Sequence, residues 1–287
     1  MKFAVVGSNG LLGTHLYLKL KEVNEEVFGI SRTKSIFTKY NCDAASFDAI
    51  EKIILKEKPD IVVNCAKYKG KTDNAEKERK EAYISNVVIV KNLVAIQKEI
   101  PFKLIQISTD WIYSGFEEEI YTEESIPYPL NFYGLSKLLA EQEIIFKSKD
   151  YLILRTTGLF GEEHPPKNFY ARLKYSLEKN EKFYAAFDQY SQPISALELS
   201  KIIYQLSKQN ECGLFNATGG EYLSRYDFAK KIARFLGLNE AQIEKISSDF
   251  REIRIPKYLK VDNSKIEKKL GRKMKNIDEM LKELKVT

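Results

Sequence analysis

The sequence predicts an α/β fold, a doubly wound parallel sheet with a smaller C-terminal lobe, and three observations predict it. Short apolar strands alternate with helical patterns from Lys2 to Arg155, a glycine-rich turn joins the first strand to the first helix, and the regularity weakens after Gly161. Alternation of this kind means parallel strands joined by helical crossovers that cover both faces of the sheet.

Each element has its own justification. Lys2–Gly7 is an apolar run ending on glycine, and Leu11, Leu12, Leu16, Leu18 and Leu20 follow at helical spacing, which reads as strand, tight turn, helix. Val27–Ile30 reads as the second strand and Ala49–Lys56 as a helix; Pro59-Asp60 leads into Ile61–Cys65, whose β-branched residues suit a buried parallel strand. Glu76–Glu99 reads as one long helix, Lys103–Ser108 as a strand, Tyr133–Phe146 as a helix and Tyr151–Arg155 as a strand. Beyond them, helices are expected at Asn168–Glu178, Ala196–Lys208, Ser224–Phe235 and Ile277–Leu284.

Composition narrows the class. With 287 residues, 44% hydrophobic and 30% charged, the chain is long enough to bury a large core and is neither disordered nor collagen-like. Its apolar runs, such as Ile84–Val90 broken by Asn86, fall short of the ~20 residues a membrane helix needs. The start MKFAVVG lacks signal-peptide anatomy, so a cytoplasmic protein with no membrane partner is expected. Cys42, Cys65 and Cys212 have no CxxC spacing and read as reduced thiols in a core. Net charge is 46 − 40 = +6, and Arg251–Thr287 holds 12 Lys/Arg against 6 Asp/Glu, so the excess lies in the last segment. That segment carries no nucleic-acid motif; it reads as a solvated helix face or as a neighbour of a substrate diphosphate. No metal cluster is expected, and the acidic runs Glu117-Glu118-Glu119 and Glu123-Glu124 read as solvated loop.

The turn Gly7-Ser8-Asn9-Gly10-Leu11-Leu12-Gly13 sits between strand and helix, the context in which glycine spacing indicates a dinucleotide site. Gly7 permits the turn, Gly10 lets the backbone approach a pyrophosphate, and Gly13 lets helix and strand pack closely, with N–H groups of the helix start facing the anion. The fold is therefore Rossmann-type: residues 1–158 form the NAD(P)-binding domain and 159–287 mainly a substrate-binding lobe, of which about 187–212 returns to the first domain. The second strand ends Gly29-Ile30-Ser31-Arg32, with no carboxylate for a ribose 2′-hydroxyl. Ser31 and Arg32 suit a 2′-phosphate, which favours NADP(H) over NAD(H), and Asp43 is placed to meet the adenine amino group.

Tyr133 and Lys137 are four apart on a predicted helix and project from one face. A phenol is a poor acid at neutral pH, and a nearby ammonium lowers its pKa. Ser108-Thr109-Asp110 ends a strand at the carboxyl edge of the sheet, where Thr109 can bond the same substrate oxygen as Tyr133.

Taken together, Gly7/Gly10/Gly13, Asn64-Cys65-Ala66, Ser108-Thr109-Asp110, Tyr133/Lys137 and Leu154-Arg155-Thr156 resemble the extended short-chain dehydrogenase/reductase superfamily. Asp73-Asn74-Ala75-Glu76, the stretch Ser108–Gly115, Asp188-Gln189 with Pro193, and Gly213–Gly219 followed by Ser224 resemble its dTDP-4-dehydrorhamnose reductase family, a likeness running from Met1 to about Gly271. The resemblance implies hydride transfer from NAD(P)H to the C4 ketone of a nucleotide-linked 4-keto-6-deoxy sugar. Tyr133 would protonate the alkoxide, Thr109 would polarise the ketone, and Lys137 would hold the nicotinamide ribose. It also places Asn9, Leu11, Cys65 and Ala66 with the glycines at the cofactor, and Asp110 and Trp111 at the substrate. Asn168, Arg172 and Lys257 are candidates for the diphosphate, because such groups attract Arg, Lys and amide donors. Related enzymes also suggest a homodimer through the Glu76–Glu99 and Tyr133–Phe146 helices. The pattern departs from the family at Leu11 and at Gly158-Leu159-Phe160-Gly161. Trp111 after Thr109-Asp110, where sugar dehydratases carry Glu, speaks against dehydration. A C4 epimerase and a non-catalytic subunit similar to the regulatory subunit of methionine adenosyltransferase stand as alternatives.

Overall fold

The computed structural model describes residues 1–116 and 119–286; Glu117 and Glu118 of the acidic run lie outside the described residues. Seven strands build one parallel sheet: β1 (Lys2–Val6), β2 (Glu26–Ser31), β3 (Tyr40–Asn41), β4 (Ile61–Asn64), β5 (Lys103–Thr109), β6 (Tyr151–Thr156) and β7 (Gly213–Asn216). Their spatial order is β7-β6-β5-β4-β1-β2-β3. Val6 faces Ile30 on one side and Asn64 on the other, so the strand order reverses at β1 and opens a crevice beyond the carboxyl ends of β1 and β4.

Strand alternation explains the two faces. Phe3 and Val5 join a core with Leu12, Leu16 and Leu20 of α1 (Leu11–Glu22) and Leu199, Ile202 and Ile203 of α7 (Ala196–Lys208). Ala4 and Val6 point oppositely, into a core with α2 (Phe47–Glu57), α4 (Ile89–Ile96) and α5 (Phe132–Lys147). Both faces are covered, which is why these strands are apolar throughout rather than alternating.

The long helix expected over Glu76–Glu99 is interrupted. A 3₁₀ turn (Thr72–Glu76) precedes α3 (Arg79–Tyr83), and a π-helical turn (Ile84–Val88) joins it to α4. That wider turn carries Asn86, which is buried, accepts from the Tyr68 N–H at 2.9 Å and donates to Ser136 Oγ at 2.9 Å. A single polar residue thereby ties helix, loop and α5 together.

Beyond β6 lie α6 (Phe169–Glu178), α8 (Arg225–Leu236), α9 (Ser264–Leu270) and α10 (Ile277–Val286), with a small parallel pair of strands at Phe183–Ala186 and Ile243–Ile246. After the segment expected to return to the first domain, about 187–212, β7 adds a strand to the sheet, pairing with β6 as far as Asn216. One apolar core includes Leu16, Ile202, Phe160, Phe228 and Leu281, and so runs from α1 to α10. Cys42 and Cys65 are half-buried, but Cys212 is exposed, contrary to the core thiol expected, because it precedes β7 at the open edge of the sheet. No helix among the described residues is long and apolar enough to cross a membrane.

Candidate active site

The glycine turn is sterically required. Gly7 has φ +81°, and a Cβ there would stand 2.8 Å from the Ala66 nitrogen; a Cβ on Gly13 would stand 2.3 Å from the Gly7 oxygen. Backbone therefore packs on backbone where β1, β4 and α1 meet. Gly10 caps α1 without a side-chain bond, leaving first-turn N–H groups toward the crevice, and the Ser8 hydroxyl is buried with no partner among the described residues. These unmet donors fit a dinucleotide pyrophosphate.

Asn9 has a different task from the glycines. Its side chain donates to Thr33 O at 2.6 Å and accepts from Thr38 Oγ1 at 2.8 Å, which straps the loop after β2 over the turn. Ser31 ends β2 and Arg32 begins that loop; Arg32 is exposed and has no carboxylate partner among the described residues. Asp43 is exposed too, its Oδ1 accepting the Ala45 N–H at 3.0 Å. Cys65 follows β4 and donates its N–H to Val6 O at 2.9 Å, and burial pushes its thiol up to about 12.

The end of β5 and the start of α5 bring the reactive groups together. Asn131 caps α5 by accepting from the Gly134 N–H at 3.1 Å, and a Cβ on Gly134 would stand 2.3 Å from Trp111 O, so the helix start packs on the turn after β5. Lys137, buried, donates to Ile107 O at 2.6 Å. Burial lowers it to about 8, and the charge of Lys67 acts in the same direction. Asp110 is 2% exposed; its Oδ1 accepts from Thr109 Oγ1 at 3.3 Å and its Oδ2 has no hydrogen-bond partner among the described residues. Burial raises this carboxyl to about 7. Trp111 meets Tyr133 edge-on with centroids 5.9 Å apart.

One expectation is reversed. Tyr133 is not made more acidic by Lys137: burial, then the Asp110 charge, push the phenol up to about 12, against a hydrogen bond from Thr109 that lowers it. In the protein alone, desolvation outweighs the ammonium, which is turned to the Ile107 carbonyl. Beneath the site, Arg155 and Glu141 form a buried pair at 2.8 Å, and Ser108 donates to Glu141, so the Arg155 motif residue supports the end of β5 from below.

The structure separates the three diphosphate candidates. Asn168 is committed as the cap of α6: Oδ1 accepts from the Ala171 N–H at 3.2 Å and Nδ2 donates to Gly161 O at 3.0 Å. Lys257 is neutralised by Asp188 at 3.0 Å and Asp249 at 2.6 Å, on the wall of a cleft of roughly 520 Å³ that Arg251 and Tyr258 also line. Arg172 is exposed and has no carboxylate partner among the described residues. Arg225 and Arg251, which sequence reading missed, lie within electrostatic reach of each other, and Arg172 lies within reach of Arg225; Arg225 starts α8 behind the capping Ser224, and no local spacing marks it. Among the described residues, no three His, Cys, Asp or Glu side chains converge as a metal site.

Fold and site together define a dinucleotide-binding α/β protein in which Thr109, at the end of β5, meets Tyr133 of α5, with Lys137 one turn further along that helix. The chain matches the RmlD substrate binding domain family over residues 1–286 and belongs to that family. It is 26% identical over 249 residues to the dTDP-4-keto-6-deoxy-D-glucose reductase of Streptomyces niveus, covering 86% of this chain and 83% of that protein. It is 27% identical over 273 residues to methionine adenosyltransferase 2 subunit beta of Rattus norvegicus, covering 92% and 80%. The structure of dTDP-4-dehydrorhamnose reductase from Bacillus anthracis str. Ames in complex with NADP superposes with a TM-score of 0.89 at 27% identity, covering 100% of this chain and 99% of that one.

Proposed function

We propose that the protein is an NADPH-dependent oxidoreductase of the cytoplasm that reduces the C4 ketone of a nucleotide-linked 4-keto-6-deoxy sugar, in deoxysugar or polysaccharide biosynthesis. The observation that carries this reading is the convergence of Thr109, Tyr133 and Lys137 beside a turn in which Gly7 and Gly13 leave no room for a side chain. The similarity to reductases of such sugars, one of them in complex with NADP, supports it.

When bound, the nicotinamide supplies the hydride. Gly7, Gly10, Leu11 and Gly13 would hold the pyrophosphate, Ser31 and Arg32 the 2′-phosphate, and Asp43, Cys65 and Ala66 line the remaining path. Tyr133 is fully protonated at neutral pH with its pKa pushed up to about 12. An alkoxide is a stronger base than a phenolate, so the proton moves from the Tyr133 oxygen to the C4 oxygen. Thr109 bonds that oxygen and Asp110 and Trp111 border the sugar, while Lys137, steadied on Ile107 O, keeps N–H donors for the ribose and stabilises the phenolate left behind. Residues 1–158 with the returning segment carry the cofactor in this reading, and the remainder of 159–287 the sugar nucleotide.

A homodimer is part of the same reading. Leu135, Leu139 and Phe146 form an exposed stripe on α5 beside Tyr83 and Val87, a face that a second copy would cover.

The test is NADPH and NADH oxidation with dTDP-, GDP-, UDP- and CDP-linked 4-keto-6-deoxyhexoses, beside Tyr133→Phe and Arg32→Ala. One sugar should be reduced; Tyr133→Phe should lose about 100-fold or more, the order of general acid catalysis, and Arg32→Ala should lose the preference for NADPH. Interconversion of C4 epimers without net NADPH loss would make the protein an epimerase. Tight NADPH binding with no turnover, and a partner enzyme at fixed stoichiometry, would make it a regulatory subunit.

A further inference from the structure

We propose that Asp110 returns to Tyr133 the proton that the phenol gives up in each turnover, passing it through the Thr109 hydroxyl; this role rests on the reductase reading above. The three residues are joined in line. Thr109 Oγ1 donates to Asp110 Oδ1 at 3.3 Å, and the same hydroxyl bonds the Tyr133 oxygen. Asp110 opens the short turn after β5, and the start of α5 packs on that turn so closely that a Cβ on Gly134 would stand 2.3 Å from Trp111 O. Carboxyl and phenol are therefore held by packed elements on either side of the threonine.

The state of the carboxyl points to a proton store. Asp110 Oδ2 is buried with no hydrogen-bond partner among the described residues. A carboxylate there would leave charge without solvation, whereas a carboxylic acid leaves only a carbonyl oxygen unbonded, at smaller cost. Burial accordingly holds the group at about 7, so it keeps a proton into the neutral range. Its neighbours do not compete as donors. Thr157, from the loop after β6, bonds the carboxyl without titrating, and Lys137 of α5 is turned to Ile107 O. Arg251 lies over the Trp111 ring at 5.7 Å and, as a guanidinium, keeps its protons.

The transfer balances without any change of oxidation state. Protonation of the sugar oxygen leaves Tyr133 as a phenolate. The Thr109 O–H proton moves to that oxygen, and the Asp110 O–H proton replaces it on Thr109 Oγ1. Asp110 becomes a carboxylate and Tyr133 a phenol again. From an acid near 7 to a phenol near 12 the transfer runs downhill. The new Asp110 charge raises the phenol, which keeps the proton where the next turnover needs it. Asp110 then regains a proton from water when the product leaves.

The experiment follows NADPH absorbance by stopped flow, with the full chain and whichever dTDP-, GDP-, UDP- or CDP-linked 4-keto-6-deoxyhexose it reduces. In the wild type the steady rate should fall relative to the first turnover as pH rises through about 7, where Asp110 loses its proton. Asp110→Asn has no acid proton to return; it should oxidise about one NADPH per site and then slow by at least about 10-fold, with no titration near neutrality in the slow phase. A side chain that only bonded the sugar would change KM, or slow first and later turnovers alike. Equal loss in both phases, or a pH profile unchanged by the substitution, overturns the relay. NADPH affinity reports whether the variant is folded; if it is not, the wild type decides, and a ratio of steady to first-turnover rate that stays constant from about pH 6 to 8 overturns the relay. Oxidation of NADPH by none of the sugars discards the reductase reading, and the relay with it; oxidation without the two-phase behaviour discards the relay alone.

Discussion

Asp110 offers the sharpest test of the site's electrostatics. Its carboxyl is 2% exposed and raised from an ordinary 3.8 to about 7, chiefly by burial. The folded protein therefore holds a proton that the unfolded chain releases, and stability contributed by the protonated form is fully present at low pH and lost as pH rises between about 4 and 7. At ~1.4 kcal/mol per unit, the loss is about 2 kcal/mol near pH 5 and about 4 kcal/mol near pH 8. Asp110→Asn removes the titration while keeping the shape. The stability difference between variant and wild type, from urea unfolding, should shift toward the variant by about 2 to 3 kcal/mol between those two pH values. Comparing two pH values cancels whatever the new amide costs on its own. A difference that stays constant across the range would refute the reasoning, because it would mean that Asp110 is ionised at pH 5 as readily as in the unfolded chain.

Two other predictions concern support and assembly. Glu141→Gln strands Arg155 as a buried cation, with 4% of its side chain exposed, and should cost about 3 to 5 kcal/mol in denaturant unfolding; a loss under about 1 kcal/mol would mean the pair carries no such burden. Leu139→Asp with Phe146→Asp should convert a dimer to a 33.2 kDa monomer in light scattering, and a wild type that already runs as a monomer would remove the proposed interface.

What sequence reading captured was local. The glycine turn was legible because strand, turn and helix lie within a short stretch of chain, and Gly7 and Gly13 each answer a close backbone contact. Tyr133 and Lys137 were legible because helical spacing alone puts them on one face. What it missed depends on distant neighbours. The polar side chain of Asn168 suggested a ligand, yet the helix start it caps uses it up. Lys257 looked available, but Asp188 and Asp249, from other parts of the chain, hold it. The tyrosine's acidity was inferred from one nearby charge, whereas burial, a property of the whole fold, set its direction. β7 escaped notice because a four-residue edge strand has too little pattern to announce itself, and Arg225 because no local spacing marks it at the start of α8.

The packing of α1 against α7 also bears on how the chain is made. Leu12, Leu16 and Leu20 emerge early, but Leu199, Ile202 and Ile203, which cover them, are not synthesised until most of the chain has left the ribosome. Until then this half of the nascent sheet shows water a bare apolar flank, and contacts of such long sequence separation form slowly. A chain truncated before Ala196 would keep every glycine of the turn together with Tyr133 and Lys137, and should nonetheless be an aggregating fragment rather than a working cofactor-binding domain.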